Sequence, residues 1–246
     1  MLMKKLVLSA FVAAGLMFTS CDKNDDNNTT EEGTVDVSKM YLPLKMVADD
    51  YTTTFTYNNK GQVTKIVESD GYEYTFSYNG NQLTEVVETE LGYKTTYTYQ
   101  QSGTTITLKG IYEYNGQKNE NTETLLIDTN GNLIDDDYFK YTYDTNGNIV
   151  KMANNYGEKA TFTYDAKNGV FKNLNLPKWV VAYILDYKPN IVNNAVTIKY
   201  ESEEDPEEND SGTIKYEYNS DGYPTKMEVN SVVEGEFTQT IEYTKK

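Results

Sequence analysis

Tyr141-Thr142-Tyr143-Asp144-Thr145-Asn146-Gly147-Asn148-Ile149 is the stretch on which the fold turns. Residues two apart on a strand share a face, so Tyr141 and Tyr143 point together while Thr142 points away. Asp144 through Gly147 then supplies turn chemistry, with a glycine where a tight hairpin needs a positive φ. Ile149 opens a return strand. These nine residues are one hairpin: strand, turn and strand.

The same order of residue types recurs along the chain at intervals of roughly twenty residues. It runs as Phe55-Thr56-Tyr57-Asn58-Asn59-Lys60-Gly61-Gln62-Val63 and, more tightly, as Phe76-Ser77-Tyr78-Asn79-Gly80-Asn81-Gln82-Leu83. Phe162-Thr163-Tyr164-Asp165 through Gly169 and Tyr216-Glu217-Tyr218-Asn219 through Gly222 repeat it, and weaker copies begin at Tyr97 and Leu126. The return strands carry a complication. Val63 and Ile66 follow Gly61, and Ile149 and Met152 follow Gly147, in each case three residues apart. Strict alternation puts such a pair on opposite faces. Either both faces of the sheet are covered or a bulge re-phases the strand, and the sequence leaves both open.

Residues 1–20 read as a signal peptide: Lys4 and Lys5, an apolar stretch from Leu6 to Phe18, then Thr19 and Ser20. As a helix that stretch rises about 20 Å, short of the roughly 30 Å hydrocarbon core, so it targets the chain rather than spanning a membrane. Cys21, the only cysteine, follows directly. Phe18-Thr19-Ser20-Cys21 resembles the looser lipoboxes of the Bacteroidota, which makes Cys21 the expected lipid attachment site. Residues 21–38 are mostly polar, with six acids and one lysine, and are expected to form a flexible acidic tether. Within it, Lys23-Asn24-Asp25-Asp26 resembles the acidic signal that carries some Bacteroidota lipoproteins to the outer face of the outer membrane.

The repeat unit itself resembles the tyrosine-aspartate repeat of Rhs and teneurin-like shell proteins, Tyr-x-Tyr-Asp-x-x-Gly followed by an aliphatic. Signal, tether and repeats together are similar to an uncharacterised family of Bacteroidota lipoproteins. The resemblance implies a meander of hairpins and no particular activity. The expected fold is mainly β: an antiparallel meander of repeated β-hairpins forming an elongated, curved sheet, in a single domain over residues 39–246. One segment breaks the rhythm. Pro177 and Pro189 bracket an apolar run from Trp179 to Leu185, predicting a short helix near residues 177–187. Its valines and isoleucine also suit a buried strand. Glu201 to Asp210 is expected to be an exposed acidic loop.

Charge and composition exclude several functions. The net charge of −16 becomes −18 once Lys4 and Lys5 are removed, and all 22 basic residues are lysine. An acidic surface without arginine's bidentate fork repels nucleic acid. With no histidine and one cysteine, catalytic triads and His-based zinc sites are impossible. Phosphate-cradling glycine loops are absent. Asp128-Thr129-Asn130-Gly131-Asn132 and its counterpart at Asp144 lack the glycine and glutamate spacing of a calcium loop, and hairpin turns explain both. No catalytic residue, cofactor or metal is therefore expected. The 23 tyrosines admit two uses. On an open face they make platforms for sugar rings, whereas recurrence at one repeat position favours a scaffold of cross-strand pairs. Trp179 is the candidate ligand contact. The expected function is a cell-envelope lipoprotein acting as a structural or protein-interaction scaffold at the cell surface. The alternatives are a glycan-binding lipoprotein and, more remotely, a glycosidase using two carboxylates. The implied partners are the membrane, through the lipid, and protein or polysaccharide.

Overall fold

A computed structural model describes residues 40–49, 51–188 and 192–245. The signal peptide, Cys21, the tether and Pro189 lie outside the described residues. The first eight strands are β1 (Tyr41–Ala48), β2 (Tyr51–Tyr57), β3 (Val63–Glu68), β4 (Glu73–Asn79), β5 (Gln82–Glu90), β6 (Tyr93–Ser102), β7 (Thr105–Tyr114) and β8 (Gln117–Ile127). The second eight are β9 (Leu133–Asp135), β10 (Lys140–Tyr143), β11 (Ile149–Ala153), β12 (Lys159–Tyr164), β13 (Ala195–Glu201), β14 (Asp210–Tyr218), β15 (Pro224–Ser231) and β16 (Gly235–Lys245). Each strand pairs antiparallel with the next, and β1 pairs with β16 from Tyr41↔Lys245 to Ala48↔Gln239.

The sheet is therefore a closed 16-strand barrel, not the elongated, open curve expected from the repeats. The strands explain the closure. Each turns one apolar face inward, as with Phe55 on β2, Tyr74 and Phe76 on β4 and Ile106 and Leu108 on β7, all buried. No second sheet covers that face. Rolling up until first meets last buries it and removes the sheet's two outer edges.

A bulge beside the turn accounts for the three-residue spacing. Thr56 pairs with Lys65 but Tyr57 with Val63, which leaves Thr64 as the extra residue. Val63 and Ile66 thereby both face inward, each fully buried. The β10–β11 pair repeats the device, with Val150 the extra residue between Lys151 and Ile149. In most units the second tyrosine satisfies the carbonyl that opens the neighbouring hairpin's return strand, while in the Tyr216 unit the first tyrosine takes the Ala195 carbonyl. Tyr78 Oη donates to the Val63 carbonyl at 2.8 Å, Tyr99 to Leu83 at 2.9 Å, Tyr143 to Leu133 at 2.7 Å and Tyr164 to Ile149 at 2.7 Å. Tyr57 and Tyr243 do the same to Pro43 and Pro224. Buried carbonyls left unpaired at a bulge are costly, so the repeated tyrosine is a structural brace.

The turns between β2–β3, β4–β5, β8–β9, β10–β11 and β14–β15 lie at one end of the barrel, with the start of β1 and the end of β16. We call this the turn end, and the opposite one the mouth. At the turn end Asp144 Oδ1 accepts from the backbone N–H of Asn146 at 2.8 Å and of Asn148 at 2.9 Å, and Gly147 takes φ 91°. Burial acts to raise the Asp144 pKa, but these bonds and one from the Asn148 side chain outweigh it and hold the carboxyl below its ordinary value. Asp128 is bonded in the same way, to Asn130 and Asn132.

The insertion between β12 and β13 enters from the turn end and fills the barrel. Phe171, Leu174, Trp179, Val180, Val181, Leu185 and Tyr187 are all buried there. The helix expected over 177–187 is only a π-helical turn, Val180–Ile184, entered through Pro177, whose carbonyl accepts from Val180 N–H at 2.9 Å. Two adjacent valines disfavour a tight helix. The turn ends well before Pro189, because Asp186 adopts a left-handed φ of 53°. The acidic loop after β13 is exposed at Glu203 to Glu207, yet Asp210 is buried and accepts from Ser231 Oγ at 2.8 Å.

The outer wall is polar. Thr54 and Thr56 on β2, Lys94 and Thr98 on β6, Lys118, Glu120, Thr122 and Thr124 on β8, and Thr213, Lys215 and Glu217 on β14 are all exposed. Only scattered apolar residues such as Leu126 and Ile134 interrupt them. A barrel that crosses a bilayer carries an outward apolar band about 25 Å tall. This wall has none, and no helix among the described residues is long and apolar enough to cross.

Candidate binding mouth

At the mouth, β5 to β8 bring together side chains that the repeats do not explain. Strand alternation points Glu88 on β5, Tyr97 on β6, Tyr112 on β7, and Asn121 and Glu123 on β8 toward the barrel axis. Tyr97 Oη donates to Glu88 Oε2 at 3.1 Å. Glu123 accepts from Asn121 Nδ2 at 2.8 Å and, on its other oxygen, from Tyr183 Oη at 2.7 Å. Gly110 interrupts the inward row of β7, and a Cβ there would lie 3.1 Å from the Tyr112 ring. The glycine gives that ring room to fold back along the strand. Beyond it, Tyr93 and Tyr114 stack at 4.1 Å with planes 8° apart, both well exposed.

Deeper in, carboxylates fasten the filling segment to the wall. Tyr187 Oη donates to the buried Glu68 at 2.6 Å. Asp136 accepts from Tyr141 Oη at 2.5 Å, and Lys188 stands 4.0 Å from it and over the Tyr141 ring. With Tyr183 on Glu123, three consecutive contacts clamp the segment's far end to β8, β3 and the β9–β10 loop. Burial first, and the adjacent carboxylates second, push Tyr97, Tyr183 and Tyr187 above the ordinary phenol range. At neutral pH these phenols are therefore hydrogen-bond donors and not bases. The mouth offers aromatic faces, carboxylate and amide oxygens, and protonated hydroxyls, a set suited to holding a ligand.

Trp179 lies elsewhere. It is 2% exposed and packs edge-on against Tyr99 at 4.9 Å, so no face of it is open to a sugar ring. Cys21 falls outside the described residues. A groove of about 470 Å³ beside Lys215, Glu228, Asn230 and Glu236 is lined also by Thr213, Val229, Phe237 and Thr238 and gathers no group that the rest of the wall lacks. The sequence held two signals for the mouth: a glycine inside the alternating run Ile106 to Tyr114, and a β8 strand whose inward positions turn from apolar to Asn and Glu.

No protein-family model matches the chain, and no curated protein matches it. Among solved structures, a porin-like protein from Bacteroides vulgatus ATCC 8482 shares 13% identity over 83% of this chain and 99% of its own, with a TM-score of 0.46. A porin-like protein from Bacteroides uniformis ATCC 8492 shares 16% identity over 83% and 97%, at 0.42. A chain of the TcdB2-TccC3-TEV structure aligns with 78% of this chain and 10% of its own, at 0.23 and 18% identity. At these scores none of the likenesses decides a function.

Proposed function

We propose that this chain is an exported lipoprotein of the outer membrane, held by lipid on Cys21 and displayed at the cell surface. Its barrel serves there as a rigid, water-facing scaffold for other macromolecules. The observation that carries this is the polarity of the barrel, hydroxyl and charged groups outside and packed apolar side chains within, the reverse of a wall built to face lipid. A filled interior conducts nothing, and a polar wall needs a separate anchor. Seven of the tyrosines are occupied as braces on backbone carbonyls, which favours scaffolding over a broad aromatic platform. Because β1 starts at the turn end, a lipid tether there turns the mouth away from the membrane. Labelled palmitate incorporation with cell fractionation tests the anchor. Wild type should take up label and sediment with membranes, and Cys21→Ala should take up none and become soluble. Membrane retention of Cys21→Ala, or an unlabelled wild type, rules the anchor out.

The exposed stack of Tyr93 and Tyr114 with Tyr112 beside it favours a second reading, in which the mouth retains a glycan. Tyr112→Ala should then abolish retardation of the protein in a polysaccharide-containing gel. No retardation of wild type on any polysaccharide removes this reading. Neither reading assigns a catalytic role to Glu88 or Glu123.

A further inference from the structure

Among the described residues, β8 carries a long exposed break in the barrel's pairing at the mouth. On one side β8 pairs with β7 along its whole length, from Tyr114↔Gln117 to Thr105↔Leu126. On the other, β9 reaches only Leu126 and Ile127. Among the described residues, Gln117 to Leu125 therefore present a bare strand edge at the mouth, with all but Glu123 and Leu125 of these residues exposed. The Thr122 N–H shows which groups face outward: it donates to the Asn121 side-chain oxygen at 2.9 Å in place of a ladder partner. Alternate residues share that direction, so the backbone groups of Lys118, Glu120, Thr122 and Thr124 lie along the open edge. The edge carries no proline and no bulge, two of the usual defences of an unpaired strand.

We propose that this edge is a self-pairing surface, on which β8 of a second copy adds antiparallel about a two-fold axis through Asn121. Ladder length and charge together select the register: centring on Asn119 would pair Lys118 with Glu120 but leave a ladder of only Gln117 to Asn121. Centred on Asn121, the pairing sets Lys118 opposite Thr124 of the second copy, Asn119 opposite Glu123, and Glu120 opposite Thr122, with no like charges facing. It also brings edge-facing residues against edge-facing residues, as an antiparallel ladder requires. Centring on Glu120 opposes that carboxylate to itself, which is destabilising. Centring on Thr122 directs Lys118 at Leu126, which β9 already occupies. The result is one sheet running through two barrels, joined at their mouths.

Cysteine cross-linking of the full chain in its native membranes tests this. At the two-fold axis a non-hydrogen-bonded pair has Cα atoms about 4.5 Å apart, within the roughly 4.4–6.8 Å that a disulfide spans. Under mild oxidation Asn121→Cys should give a dimer as the dominant product. Asn119→Cys, whose counterpart lies four residues along the strand, should stay at the background set by the wild-type chain, which carries Cys21 alone. Adding Thr122→Pro to Asn121→Cys removes an N–H that faces the edge and not β7, so it should abolish the dimer while leaving protease resistance unchanged. The proposal is overturned by any of four results: no dimer with Asn121→Cys, equal cross-linking with Asn119→Cys, a dimer that survives the proline, or an adduct of another mass, which would mean that a different protein occupies the edge.

Discussion

The two ends of the barrel are built on different principles. The turn end is repetitive: an Asn or Asp side chain holds the β2–β3, β8–β9, β10–β11 and β14–β15 loops, a positive-φ glycine turns each, and a tyrosine brace closes the bulge beside it. The mouth is irregular, with the inward carboxylates Glu68, Glu88, Glu123 and Asp136 tied to phenols from the wall and from the filling segment. Repetition specifies the architecture at one end and leaves the other free to vary. Interaction surfaces therefore collect at the mouth, where the exposed aromatics and the bare edge of β8 also lie.

Alkali should erase the difference between the ends, and has the largest expected effect. Burial raises Tyr57, Tyr141, Tyr187 and Tyr216 well above the ordinary 10.0. Below that pH both folded and unfolded chains keep their phenol protons and stability is unchanged. Above it the unfolded chain releases protons that the folded one retains, so each such tyrosine costs about 1.4 kcal/mol per pH unit. Phenolate absorbance and circular dichroism should change together in one steep transition above pH 10. A gradual phenolate titration with the fold intact would mean that the tyrosines are not buried braces.

Trp179→Ala comes next, because the indole fills the space between the two ends. Truncating it should cost about 3–5 kcal/mol and lower Tm by on the order of 10 °C. A loss no larger than that of a surface substitution would show the barrel to be hollow. Tyr187→Phe takes one donor from the buried Glu68 and should cost about 1–3 kcal/mol in a denaturant melt. Tyr143→Phe at the turn end frees a neutral carbonyl, and should cost only about 0.5–1.5 kcal/mol. Equal costs at the two positions would remove the distinction between fastening by charge at the mouth and bracing at the turns.

The hairpin units and their turns are legible in the sequence because they rest on local rules, namely alternation, Asn or Asp before glycine, and the repeated tyrosine. Closure is not, because it rests on the meeting of Tyr41 with Lys245, which no local pattern announces. The spacing of Val63 and Ile66 signalled that something re-phased the strand, but only pairing identifies Thr64 as the bulge. Trp179 looked like a contact for ligand because an aromatic in a segment outside the repeats has two uses, and burial in the barrel decides between them. The mouth was obscured for a related reason. Glu88, Tyr97, Tyr112 and Glu123 come from four different strands and converge only when the sheet curls.

The central claim, a filled barrel that faces water and hangs from a lipid, is tested most directly by labelling its wall in intact membranes. Thr54→Cys, Thr98→Cys and Thr163→Cys place single thiols on the outer face in mid-wall, with Cys21 blocked by its lipid. A charged, membrane-impermeant maleimide should label all three as fast in membranes as after detergent extraction. Protection of all three in membranes, lifted by detergent, would mean that lipid surrounds the wall, and would contradict the account.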